Sequence, residues 1–223
     1  SVNVHHIARN GRNAEYLSGE DPALGAALAA AYVHGVQSAG VAATAKHFVL
    51  NSQETHRNSE SSDVSDRALW EVYYPPFEAA VRAGAAAFMC SYNLVNVTHA
   101  CGDAHILIDH LRDEMKFEGF VMSDWWATHD SYASRNGLDQ EMPGSSAGNR
   151  RGELFDRWRL EDEDADIDSM AHHVLTGMLS STAWDNGPHC TPGQNCSFLL
   201  YQRDATSPEH DELAREVARD GAI

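Results

Sequence analysis

The chain has 223 residues, of which 43% are hydrophobic and 9% aromatic, enough for one sizeable globular core or one domain plus part of another. Its formal net charge of −17 argues against nucleic acid and anionic membrane surfaces as partners. No run of about 18 apolar residues exists to span a bilayer.

The chain opens on Ser1-Val-Asn-Val4, strand-like from the first residue and without a signal-peptide pattern, which reads as a cut end. Pro22 to Ser38 is Ala-rich with a helical period and stops near Gly40. Ala42 to Val49 returns to strand. Asp66 to Arg82 reads as a helix capped by Asp66, stopped at Gly84 and interrupted by Pro75-Pro76, which should kink or split it. Ala86 to Tyr92 is a strand, and His105 to Lys116 is an amphipathic helix with Ile106, Leu107, Leu111 and Met115 on one side. Gly119 to Ser123 is a strand, Trp126 to Asn136 a helix, and Gly137 to Met142 a short strand. A further helix runs from Asp168 to Leu179. The stretch from Asn186 to Pro208 is rich in Gly, Pro, Asn, Thr and Ser and reads as a linker, after which Glu209 to Ile223 turns helical. Strands that alternate with helices imply parallel pairing through right-handed crossovers.

Cysteines stand at positions 90, 101, 190 and 196. Cys190-Thr-Pro-Gly-Gln-Asn-Cys196 suits a disulfide closing a small turn. Asn96-Val-Thr98 and Asn195-Cys-Ser197 are N-glycosylation sequons, and with a disulfide they point to a secreted glycoprotein. No spacing of Cys or His makes a zinc site. The acidic run Glu161 to Asp168 lacks the central Gly and the terminal Glu of a calcium loop and reads as a solvated face. No metal and no cofactor are expected.

The chemistry concentrates in Val121-Met-Ser-Asp-Trp-Trp-Ala-Thr-His129. An apolar run breaks into one carboxylate followed by indoles, at the kind of strand end where parallel barrels place their reacting groups. Flat sugar faces pack on indole rings, and sugar hydroxyls need charged or amide partners. Taken alone, Asp124 could equally cap the next helix. Other segments shift that balance. They are Gly11-Arg-Asn-Ala-Glu-Tyr-Leu-Ser-Gly-Glu-Asp-Pro22, Ala45-Lys-His-Phe48 with Asn51, Gln53, Glu54 and Arg57, Met89-Cys-Ser-Tyr-Asn93, and Gly137-Leu-Asp-Gln-Glu-Met-Pro-Gly144.

In this order and spacing, from about Val2 to Gly144, the segments resemble glycoside hydrolase family 3, the β-glucosidase and β-xylosidase group. The resemblance implies an α/β fold: part of a (β/α)8 TIM-like barrel over residues 1–184, a linker over 185–208, and the start of a second α/β sandwich domain over 209–223. It makes Asp124 the nucleophile of a retaining β-glycosidase. Arg12, Lys46 and His47 would bind sugar hydroxyls, Met89 and Tyr92 would stand near the nucleophile, and Trp125 would pack beside the sugar. Lys46 and His47 would keep Asp124 ionised, and Glu54 with Arg57 would brace the Lys-His loop. The sequence after Lys46-His47-Phe48 departs from the N-acetylglucosaminidase branch, which favours β-glucosides as substrates and leaves xylosides and arabinosides open. The family's general acid/base lies outside these residues. The isolated chain should therefore be inactive and should need the remainder of the same enzyme, or self-association, to cover its open sheet edges. The competing reading is a non-catalytic carbohydrate-binding or interaction fragment.

Overall fold

A computed structural model describes residues 1–144, 154–181, 204 and 206–221. The expected Cys190–Cys196 link and the Asn195 sequon lie outside the described residues. The chain divides into two compact units, Ser1–Gly187 and Pro188–Ile223.

The first unit is built on a parallel sheet in the order β1 (Thr44–Phe48), β3 (Ala87–Cys90), β6 (Phe120–Ser123). Strand β3 is buried along its whole length, the pattern of a strand covered on both faces. Helix α1 (Pro22–Ser38) starts as its sequence requires: the Asp21 carboxylate accepts from the N–H groups of Ala23 and Leu24, and Pro22 opens the first turn. It packs on α3 (Pro75–Arg82) through Gly25, Ala29 and Val33. A Cβ at Gly25 would fall 2.9 Å from Pro76 Cγ of α3 and 2.0 Å from Ser18 Oγ, so only Gly permits this approach. Helix α5 (Ile167–Ser180) closes on β6 in the same way, since a Cβ at Gly177 would sit 2.7 Å from the Phe120 ring and 2.4 Å from the Ala86 carbonyl oxygen that precedes β3. Between sheet and helices, Phe48 stacks on Tyr74 at 5.5 Å and meets Phe77 edge-on at 5.0 Å, all three fully buried. Each such side chain contributes roughly 1.5–3 kcal/mol of burial free energy.

Several expected elements differ, each for a local reason. Val2–Val4 is not a strand. Val2 N–H donates to the Lys46 carbonyl at 2.8 Å, but at the next position the Asn3 side-chain amide bonds both the N–H and the carbonyl of His47, each at 2.7 Å. A side chain thus takes the place of the backbone ladder. Gly137–Met142 shrinks to a single parallel bridge between Met122 and Gln140, because the Asp139 carboxylate occupies the Val121 N–H at 2.7 Å. Trp126–Asn136 forms only a 3₁₀ turn at Ser131–Ser134; Trp126 has a φ of 63°, which an α-helix does not admit.

The helix from Asp66 is capped by Ser65, not Asp66. It runs as α2 (Asp66–Ala68), widens to a π-turn over Leu69–Tyr73, and resumes at Pro75 as α3. His105–Glu114 is also π-helical and buries Ile106, Leu107, His110 and Leu111. A second, small sheet left no signal in the residue pattern. In it β2 (Ser61–Ser62) pairs parallel with β4 (Leu94–Val95), and β4 pairs antiparallel with β5 (Thr98–His99). Asn96 and Val97, both at positive φ, make the β4–β5 turn. The Asn96 amide is spent on Val64, accepting from its N–H at 2.8 Å and donating to its carbonyl at 2.9 Å. A glycan on that nitrogen would displace the second bond, so the hairpin already uses the sequon's asparagine. Behind the hairpin Cys90 and Cys101, both fully buried, form a disulfide with Cα atoms 5.2 Å apart.

Helix α4 (Arg157–Asp162) is capped by Asp156, which accepts from Arg159 N–H. In the second unit, α6 (Pro208–Asp220) is capped by Ser207, which accepts from His210 N–H. Among the described residues no helix is long and apolar enough to cross a membrane.

Candidate active site

The C-terminal ends of β1, β3 and β6 bring together most of the polar residues singled out in the sequence. Lys46, Met89 and Met122 stand in one row across the three strands. Asp124 follows β6 directly and is 9% exposed. Tyr92, two residues past β3, donates its hydroxyl to Asp124 Oδ1 at 3.0 Å. His47 Nε2 lies 3.3 Å from Asp124 Oδ2. Trp125 and Trp126 follow with 39% and 46% of their surfaces exposed, so both indoles are partly open to solvent.

Arg12 reaches the cluster from the loop before α1. Its Nη2 donates to His47 Nε2 at 3.1 Å, and Glu15 and Glu54 hold the guanidinium from the other side. A nitrogen that accepts from Arg12 carries no proton. The His47 proton is therefore on Nδ1, facing Tyr16 Oη at 3.3 Å. Burial first, then the charges of Arg12 and Lys46, lower the His47 pKa to about 3, so the ring is neutral at ordinary pH. Its approach to Asp124 is thus not an ion pair: two lone pairs face each other, and the positive charge that offsets them is the Arg12 guanidinium on Nε2, which with Lys46 also acts on Asp124.

Of the two cations expected beside the carboxylate, His47 is neutral. Tyr92, Lys46, Arg12 and Arg57 each pull the Asp124 pKa down, but burial outweighs them and the net shift is upward. Tyr92 is pushed up to about 12 by burial and by the Asp124 charge, so it stays a donor. Arg57 lies over the Tyr92 ring at 4.0 Å and is paired with Glu54 at 3.0 Å. Glu54 and Arg57 therefore contact Arg12 and Tyr92, where the sequence alone suggests a brace for the Lys-His loop.

Residues that sequence reasoning missed are supports. Asn3 clamps the His47 backbone, Tyr16 meets the His47 ring, and Glu15 fixes Arg12. Only Arg12-x-x-Glu15 carried a readable signal, a charge pair at short spacing. Asp139 belongs elsewhere: Arg112, His173 at 2.8 Å and the Val121 N–H at 2.7 Å all bind it, and it pins the sheet to its helices.

The description Glycosyl hydrolase family 3 N terminal domain matches residues 1–142. A beta-glucosidase of Rhizobium radiobacter is 53% identical over 227 residues, covering 100% of this chain and 26% of that enzyme. A beta-glucosidase of Kluyveromyces marxianus is 36% identical over 100% of this chain and 26% of its own length. Among solved structures, a family 3 beta-glucosidase of Bifidobacterium adolescentis superposes with a TM-score of 0.75 at 34% identity, covering 94% of this chain and 29% of that one. The beta-D-glucoside glucohydrolase of Trichoderma reesei gives 0.74 at 37% identity, over 80% of this chain and 26% of that one. The chain thus spans little more than a quarter of the length of these relatives. A parallel sheet with helices packed against it, polar groups gathered at its C-terminal edge and the match over residues 1–142 agree on one assignment: the chain belongs to glycosyl hydrolase family 3, as a partial α/β barrel from its N-terminal domain.

Proposed function

We propose that the chain carries the nucleophile side of a retaining β-glucosidase site. The observation that carries this reading is the buried Asp124 at the end of β6, held on Oδ1 by Tyr92. One oxygen is fixed by a hydrogen bond, and the neutral His47 ring stands 3.3 Å from Oδ2. Oδ2, which does not accept the Tyr92 bond, is the oxygen that attacks. It forms a bond to the anomeric carbon as the glycosidic C–O bond breaks and the departing oxygen takes a proton from a general acid outside these residues. Water, deprotonated by that same group, then releases the sugar with its anomeric configuration retained. Arg12 and Lys46 bind sugar hydroxyls. His47, expected to do the same, instead positions Arg12, because its ring is buried with its nitrogens facing Arg12 and Tyr16. Met89 and Tyr92 border the reacting carbon, and Trp125 packs beside the ring.

Beta-glucosidase relatives on both the bacterial and fungal sides support a terminal β-glucoside as substrate. The Cys90–Cys101 disulfide supports an oxidising, extracytoplasmic location. The remaining barrel strands and the acid come from the rest of a longer polypeptide, with a barrel over residues 1–184, a linker over 185–208 and a second domain beginning at 209.

In the full-length protein, Asp124→Asn should lower turnover of an aryl β-glucoside by about 10³-fold or more with the fold intact. Near-normal hydrolysis by that variant refutes the assignment. The 223-residue chain alone should release no glucose from cellobiose, whose poor leaving group needs the absent acid. Release at ordinary enzyme rates would show that the acid lies within these residues.

A further inference from the structure

Away from Asp124, three side chains with metal-binding atoms converge at the start of two helical segments. Asp66 is the first residue of α2, and His105 and His110 belong to the π-helical stretch His105–Glu114. One donor atom from each lies within 4.8 Å of the others. In an α-helix, residues five apart point about 140° away from each other. The wider winding of the π-helix brings the two rings to 4.1 Å between centroids.

Outer partners orient both rings. His105 Nδ1 lies 3.0 Å from Asp109 Oδ2, and His110 Nδ1 lies 2.8 Å from the hydroxyl of the buried Tyr74. Imidazoles that ligate metals are held in this way, with one nitrogen anchored to a carboxylate or other oxygen and the second turned to the ion. The anchoring leaves Nε2 of each ring as the available donor. A carboxylate cannot donate, so the bond to Asp109 puts the His105 proton on Nδ1. A neutral His105 then turns a lone pair towards Asp66 Oδ1 at 3.4 Å. Two electron-rich atoms facing each other need a positive charge between them, either a second proton on the ring or a cation. Ligands at about 2.0–2.1 Å from a tetrahedral zinc ion stand roughly 3.3 Å apart, close to the observed separation. His110 is 6% exposed, while Asp66 and His105 are open to solvent, which leaves an entry path and room for a water.

We propose that Asp66, His105 and His110 bind a divalent transition-metal ion of the zinc class, with water in the fourth position. The ion would staple the start of α2 to the π-helical segment. The site shares no residue with the Asp124 cluster and is independent of the glucosidase reading. Sequence spacing could not show it, because Asp66 is distant in the chain and five residues between histidines is not a same-face spacing in an ordinary helix.

The test uses the full-length protein without a histidine tag, stripped with a chelator and dialysed. Zinc chloride is titrated calorimetrically into the native protein, into Asp66→Asn and into the double variant Asp66→Asn/His105→Gln. Both substitutions are at exposed positions, and circular dichroism checks that the metal-free variants keep the native fold. The native protein should bind one more equivalent of zinc than the double variant, and Asp66→Asn should bind that equivalent at least tenfold more weakly. Cobalt(II) added to the native protein should give the intense visible bands of a tetrahedral site, absent in the double variant. Equal stoichiometry and affinity in native and double-variant protein, or native protein without tetrahedral cobalt bands, would overturn the proposal and leave His105 as a protonated partner of Asp66 and Asp109.

Discussion

Tyr92 donates its hydroxyl to Asp124 Oδ1 across 3.0 Å, while the Arg57 guanidinium covers the face of the same ring at 4.0 Å. The ring is thus fixed on one side by a cation and delivers a hydrogen bond on the other. Burial raises the Asp124 pKa, and Tyr92 is the largest of the influences that oppose it.

Tyr92→Phe should therefore impair the site in a specific way. Loss of the bond removes a downward influence, so the Asp124 pKa rises further. A carboxylate attacks only when ionised, so the acid limb of kcat/KM for a β-glucoside should move to higher pH. The optimum value should fall about 10- to 100-fold, in keeping with a hydrogen bond to a charged group. A pH–rate profile of the full-length variant measures both. An unmoved acid limb would mean that Tyr92 does not tune Asp124.

Glu15 gives a pH dependence of stability with the opposite sign. Its bond to Arg12 lowers its pKa from 4.5 to about 2 in the folded chain. A depressed carboxylate pKa contributes stability that is present above the unfolded value and is lost as pH falls through the folded one. The urea midpoint of the native protein should thus fall between pH 4.5 and 2 more steeply than that of Glu15→Gln. The difference should be small, because Glu15 is 39% exposed and solvent screens the pair. Parallel curves would show that the Arg12–Glu15 pair contributes nothing to stability.

The Cys90–Cys101 bridge closes a loop with a sequence separation of 11 that includes the β4–β5 hairpin. Replacing both cysteines with alanine should cost about 3 kcal/mol and lower Tm measurably. Peptide mapping without reduction should recover residues 90 and 101 in one linked fragment. Alkylation of both thiols in unreduced protein contradicts the bridge.

Asp139 is a stability residue. Its carboxylate is 3% exposed and is shared by Arg112, His173 and the Val121 N–H. Asp139→Asn leaves the Arg112 charge half-buried without its partner and should cost about 3 kcal/mol. Chemical denaturation of the variant measures this, with KM for a β-glucoside unchanged. A stable variant with a raised KM would instead place Asp139 at the substrate.

The β/α alternation was legible because apolar runs such as Ala86 to Tyr92 and helical periods such as Pro22 to Ser38 reflect burial directly. What escaped were the places where a side chain replaces the backbone. Asn3 stands in for a strand beside His47, and Asp139 for a ladder bond at Val121. Two-residue strands are too short to leave a period, so the small sheet and the pairing of Cys90 with Cys101 were hidden with them. At the site, Arg12, His47, Tyr92 and Asp124 could be named because their segments resembled a family. Tyr16 and Asn3 act through geometry alone, and nothing in residue type separates them from any other tyrosine or asparagine. The balance between burial and cations at Asp124 was also beyond sequence, since it depends on how deeply the carboxylate sits.

A nucleophilic Asp124 must form a covalent bond to the sugar. The most direct measurement treats the full-length protein with a 2-deoxy-2-fluoro-β-glucoside bearing an activated leaving group. The fluorine slows breakdown of the glycosyl-enzyme, and the good leaving group lets it form. The expected result is a mass increase of one fluoroglucosyl unit, with fragmentation mass spectrometry placing the label on Asp124 in the peptide that contains Ser123-Asp124-Trp125. A label on another carboxylate, or hydrolysis with inversion and no covalent species, would contradict it.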